Sequence, residues 1–264
     1  MRLRSLVLAC AALWPGLAQA ECRQALALGL DVSGSVDAAE YRLQTDGLAA
    51  ALMAPDVQAA FLAVPEAPVR LMIYEWSGVR DQRLLLDWTT IDGAARLAEV
   101  AARLRATRKA TGDDPTTAIS AAVLYGVAAL NRQAVCLRRT LDISGDGPAN
   151  IGLHPRDLSP TDLGDVTVNG LVIGPQSRSN TSKNLHNVKS LAGYYRAYVL
   201  HGPGAFAEVA QDHADFAAAM RRKLIRELQL PNLSRLVPPQ PADLRLPQGV
   251  LRKSVSPVSR EMFQ

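Results

Sequence analysis

Aromatic residues make up only 5% of this 264-residue chain, and histidine occurs four times. His154, His186, His201 and His213 stand at no metal-ligand spacing, so no chemistry is assigned to them. The glycine-rich segment LDISGDGPANIG has no Walker lysine, and no G-x-G-x-x-G occurs, which argues against a phosphate-cradling nucleotide site. Gly-x-Ser-x-Gly is missing as well: Asp31-Val32-Ser33-Gly34-Ser35 lacks the first glycine, and no histidine is placed to support a serine nucleophile. An aspartate that accepts a phosphoryl group wants a second carboxylate two residues on, where Ser33 stands. The expectation is therefore not an enzyme, with a hydrolase as the minor alternative. Beyond the N-terminus no apolar run approaches membrane length, and stable membrane insertion is not expected.

What is present begins with a leader. Arg2 and Arg4 precede the apolar stretch Leu6–Leu17, and Ala18-Gln19-Ala20 is a small-x-small cleavage site. Residues 1–20 are expected to be a signal peptide, which implies a periplasmic or secreted protein. Losing Arg2 and Arg4 and no acidic residue lowers the formal charge from +4 to +2. The segment 231–264 carries Arg235, Arg245, Arg252, Lys253 and Arg260 against Asp243 and Glu261, a further +3, so residues 21–230 are near −1. A nearly neutral body offers no electrostatic footprint for nucleic acid. Two cysteines follow the leader. Cys22 lies nine residues before Asp31 and Cys136 ten before Asp146, each opening an apolar segment that ends in acidic and hydroxyl residues. If those segments are neighbouring parallel strands, the cysteines meet at one end and the acids at the other. An exported chain with that pair is expected to form the Cys22–Cys136 disulfide.

The apolar run Ala25–Leu30 suits a strand buried on both faces. Asp37 and Glu40 form a capping-box pattern that opens a helix ending before Pro55. Val69–Ser77 and Arg83–Trp88 read as a hairpin around Gly78–Asp81. Asp92–Arg105 is amphipathic, Thr107–Pro115 a polar loop, Thr117–Leu130 an apolar helix and Leu137–Ser144 a strand. Gly145–Gly164 reads as loop with a turn of helix, Val166–Ile173 as strand, Gly174–Lys189 as polar loop, Tyr194–His201 as a short strand and Phe206–Leu228 as one long helix. Strands alternating with helices predict an α/β, doubly wound, mostly parallel sheet with one antiparallel edge strand and helices on both faces. Residues 231–264 are proline-rich without apolar period and are expected to be a flexible tail after a domain at 21–230.

Ligands of open α/β sheets bind beyond the carboxyl ends of the strands. There, Asp31, Ser33 and Ser35 place three oxygen-bearing side chains on one loop, which suits a hard divalent cation as well as a helix cap. Thr117 opens an apolar helix, and Asp146 ends the second apolar strand. This order resembles the metal-ion-dependent adhesion site (MIDAS) of von Willebrand factor type A domains. DVSGS matches the first element, Thr117 in TTAIS matches T-x-x-G with Ser120 in place of the glycine, and Asp146 in SGDG matches T-D-G with Gly145 in place of the threonine. The combination LDVSGS, YEWSG, LDISGDGPANIG, TVNGLVI and YYRAYVLHGPGAF is similar to an uncharacterised family of secreted bacterial proteins of that type.

The resemblance implies a doubly wound α/β fold and a bound divalent cation, Mg²⁺ first, with Mn²⁺ or Ca²⁺ as alternatives. It implies Asp31, Ser33, Ser35, Thr117 and Asp146 as ligands, direct or through water. Thr116, Asp142 and Ser144 are further candidates for direct or outer contact. It also implies a protein partner that offers a carboxylate to the ion, with a metal-free scaffold or assembly factor as the alternative. Asp142, flanked by Leu141 and Ile143, needs a partner if buried, such as backbone or Arg138. Glu75 reads as solvent-facing, Trp76 as packed and Tyr194-Tyr195 as core.

Overall fold

A computed structural model describes residues 22–110, 114–175 and 182–229. The leader and the proline-rich segment lie outside them. The elements run β1 (Gln24–Asp31), α1 (Ala38–Met53), α2 (Pro55–Phe61), β2 (Val69–Trp76), β3 (Gln82–Ile91), α3 (Ala94–Ala106), α4 (Ile119–Asn131), β4 (Arg139–Gly145), α5 (Pro160–Leu163), β5 (Thr167–Ile173), α6 (Ser182–Tyr198), β6 (Ala207–Ala210) and α7 (Phe216–Leu228). One six-stranded sheet has the order β3-β2-β1-β4-β5-β6, with β3 antiparallel to β2 and every other pair parallel.

The central position of β1 explains its unbroken apolar run. Leu26, Leu28 and Leu30 join a core with residues of α1, α3 and α7, while Ala25 and Ala27 join a second core with residues of α4 and α6. Alternating side chains thus serve two helical layers, and no polar face is left. The α1 cap forms as the sequence predicts. Asp37 Oδ1 accepts the N–H groups of Ala39 and Glu40 at 2.7 and 2.8 Å, and Glu40 Oε2 accepts the Asp37 N–H at 2.9 Å. Among the described residues no helix is long and apolar enough to cross a membrane.

Cys22 and Cys136 form the expected disulfide, with Cα atoms 4.6 Å apart and a sequence separation of 114. They are bridged as neighbouring parallel positions just before β1 and β4. Beside them, Arg23 donates to the Leu228 carbonyl, and Arg138 donates to the carbonyls of Glu227 and Gln229. The cross-link therefore holds the two arginines that satisfy the open end of α7. Cys22→Ala/Cys136→Ala is expected to cost about 2–4 kcal/mol, the usual range for a natural cross-link. Urea unfolding checks this, and a loss under 1 kcal/mol would contradict it.

Three stretches depart from the sequence reading. The first helix stops before Pro55 as read, but Pro55 then opens a second helix, α2, that the sequence reading did not place, and its missing N–H costs nothing there. The stretch read as loop and then strand is α6. Its buried residues Val188, Ala192 and Tyr195, with Val199 just past its end, follow helical spacing, but polar neighbours conceal the stripe. The segment read as one long helix is β6 followed by α7, joined through a short 3₁₀ turn over His213–Asp215, where Asp212 accepts the Asp215 N–H at 3.0 Å.

Candidate metal centre

The carboxyl ends of β1 and β4 lie side by side and deliver Asp31 and Asp146 to one rim. Asp31 is fully buried. Its Oδ1 accepts the Ser33 N–H at 2.8 Å, which turns the chain back over the carboxylate. Ser33 Oγ and Ser35 Oγ are 3.2 Å apart, and Ser35 Oγ donates to Asp146 Oδ1 at 2.6 Å. Four of the five expected ligands are thereby linked by hydrogen bonds. The Lys109 ammonium donates to the Ser33 carbonyl at 3.5 Å and to that of Val36, fixing the loop from outside.

Thr117 reaches the same rim through its backbone. Its N–H donates to Asn150 Oδ1 at 2.8 Å, and its carbonyl accepts the Asn150 N–H at 3.0 Å. Two residues earlier, the Pro115 carbonyl accepts the Gly34 N–H at 2.9 Å. The serine loop, the start of α4 and the loop after Asp146 are thus tied together. Asn150 lies within LDISGDGPANIG, but the spacing in that segment does not reveal its bond to Thr117.

The further candidates are placed elsewhere. Thr116 donates from both N–H and hydroxyl to Asp114 Oδ1, at 2.9 and 2.7 Å. Ser144 donates to the Gly29 carbonyl at 3.2 Å within the sheet. Asp142 faces α7, and its partner is Lys223, with Nζ 3.0 Å from Oδ1, rather than Arg138. Glu75 is buried rather than solvent-facing. It accepts from the Tyr41 hydroxyl at 2.5 Å and from Arg83 Nε at 2.8 Å.

Electrostatics distinguish Asp31 from an ordinary turn residue. Burial, then repulsion by the Asp146 carboxylate, raises its pKa to about 7, although Ser33 and the Asp146 N–H partly offset this. Its Oδ2 is buried and has no hydrogen-bond partner among the described residues. A cation would neutralise two neighbouring carboxylates and supply that partner, so the residues fit a hard divalent ion held by oxygens. No group of three or more His, Cys, Asp or Glu able to hold a metal occurs among the described residues. The candidate centre depends on hydroxyls for its remaining donors.

The sheet order, the single antiparallel edge and the position of this rim define a von Willebrand A-like α/β fold. The chain belongs to the family described as "Protein of unknown function (DUF1194)", which matches residues 21–232. Solved structures agree on the fold. Proximal thread matrix protein 1 from the mussel byssus, with a zinc-occupied MIDAS motif, aligns with TM-score 0.52 and 12% identity over 78% of this chain and 48% of that one. A point mutant of the PilB minor pilin from Streptococcus sanguinis aligns with TM-score 0.51 and 12% identity over 83% and 64%. The pilus adhesin SpaC from Lactobacillus rhamnosus GG aligns with TM-score 0.50 and 12% identity over 78% and 31%. The chain spans about half the length of the first structures it matches, 48% in the mussel protein. At these identities the likeness concerns the fold alone. A search of curated proteins finds no match.

Proposed function

We propose that this chain is an exported binding module, not a hydrolase, that captures an acidic side chain of a partner protein through a divalent cation. Asp31, Ser33, Ser35, Thr117 and Asp146 would hold the ion, directly or through water, and Mg²⁺ is the first candidate. The ion would supply a positive centre with a position left for the partner's carboxylate. The observation that carries this reading is the buried, unpartnered Asp31 Oδ2 beside a second carboxylate and two hydroxyls. The shared fold of a mussel protein with a zinc-occupied MIDAS motif supports a divalent ion in such a place. The Cys22–Cys136 bridge supports an oxidising compartment outside the cytoplasm.

A metal-free scaffold is the second reading. It is favoured by the Ser33–Ser35–Asp146 hydrogen bonds, which close the loop without an ion. Mn²⁺ titration with and without 100 mM glutamate separates the two. If a carboxylate completes the ion's coordination, glutamate and Mn²⁺ strengthen each other's binding by the same factor. Glutamate binding that persists unchanged in a chelator would contradict the ion-dependent reading.

A further inference from the structure

Beneath the rim lie three buried polar atoms with no hydrogen-bond partner among the described residues: Asp31 Oδ2, Tyr195 Oη and Trp76 Nε1. Their side chains converge on Gly145. A β-carbon there would overlap Tyr195 Oη, lie 3.1 Å from Asp31 Oδ2 and lie 3.6 Å from Trp76 Cζ2. The phenol oxygen of α6 thus fills the space that any side chain at the end of β4 would occupy. Gly145 has no positive φ, so its backbone does not demand glycine. The close approach of Tyr195 does.

A core role alone does not account for this hydroxyl. Tyr195 is fully buried, and a phenylalanine would fill nearly the same volume without burying an unsatisfied donor. The hydroxyl acquires a purpose beside a charged oxygen, because donors to ionised acceptors form the stronger hydrogen bonds. Asp31 has one oxygen bound by the Ser33 N–H, and its second oxygen has no hydrogen-bond partner among the described residues.

We propose that Tyr195 is a positioning residue of the ion site. Admitted by the absent side chain at Gly145, its hydroxyl donates to Asp31 Oδ2 through one water molecule, and so orients the carboxylate toward the cation. This inference rests on the ion-site reading above. It adds a residue from α6, distant in sequence from DVSGS, and it explains why glycine precedes Asp146 in this chain.

The test compares full-length wild type with Tyr195→Phe in two measurements: thermal unfolding in a chelator, and calorimetric titration with Mn²⁺ alone. Tyr195→Phe is expected to unfold in chelator near the wild-type temperature, since phenylalanine fills nearly the same volume. It is expected to bind Mn²⁺ about 10- to 100-fold more weakly, the usual effect of losing an outer partner of a metal ligand. Gly145→Ser/Tyr195→Phe moves the hydroxyl from one wall of the space to the other, and recovery of Mn²⁺ affinity would support the assignment. Wild-type Mn²⁺ affinity in Tyr195→Phe would overturn it. So would a loss of chelator stability that fully accounts for the weakened binding, because that marks a purely structural residue. Wild type that binds no Mn²⁺ overturns the ion-site reading itself, and this proposal with it.

Discussion

Asp31→Asn is expected to make the chelated protein more stable while abolishing its response to Mg²⁺ and Mn²⁺. The wild-type carboxylate is buried beside Asp146, and its pKa stands at about 7 rather than 3.8. The folded state therefore holds a proton that the unfolded chain releases, so stability from this group falls as pH rises from about 4 to about 7. Above that window the full penalty applies, on the order of 4 kcal/mol at 1.4 kcal/mol per pKa unit. An asparagine keeps the acceptor for the Ser33 N–H and carries no charge. Urea unfolding in EDTA at pH 5 and pH 8 measures the effect. The difference between mutant and wild type isolates Asp31 from Asp142, whose pKa burial also raises. Saturating ion should reverse the order, because only wild type gains stability from binding. A mutant less stable than wild type in EDTA at pH 8 would contradict this account of Asp31.

Lys223→Met is expected to produce the largest loss of stability, about 3–5 kcal/mol, the usual result of stripping one partner from a buried ion pair. Lys223 projects from α7 into the sheet, with Nζ 3.0 Å from Asp142 Oδ1 and 2.5 Å from Glu227 Oε1. All three side chains are buried. Burial alone would lower the lysine pKa, but Asp142 and Glu227 raise it above its ordinary value, so the ammonium stays charged. Asn169 Nδ2 donates to the same Glu227 oxygen at 2.8 Å, and the Phe206 ring centre lies 4.8 Å from Nζ. The methionine would fill the volume but leave two carboxylates facing each other without a cation. Asp142→Asn added to Lys223→Met should recover part of the loss. Denaturant titration reads both, and a single-mutant cost under 1 kcal/mol would show that the cluster is not the polar anchor of α7.

Local patterns were legible in the sequence, and long-range ones were not. The apolar runs of β1 and β4 and the Asp37–Glu40 cap each occupy a short stretch, and each is found where the pattern places it. The cysteine offsets from Asp31 and Asp146, nine and ten residues, were equally informative, because parallel neighbours translate near-equal offsets into adjacency. The α6 helix was hidden because serine, asparagine and lysine crowd its first turns around a narrow buried stripe. The four residues of β6 form a strand only because β5 offers them an edge. The partner of Asp142 is a lysine on the last helix, and that pairing follows no period. Tyr195 reads as core from its neighbours in sequence, and its closeness to Asp31 depends on Gly145, which only the packing of α6 against the sheet brings together.

We propose above all that the Asp31–Asp146 rim holds a divalent ion. Calorimetric titration of the purified protein with Mg²⁺ and Mn²⁺, beside Asp31→Asn, tests it most directly. One saturable site per chain is expected in wild type and none in the mutant. Folded wild type that binds neither ion, with or without glutamate, would contradict it.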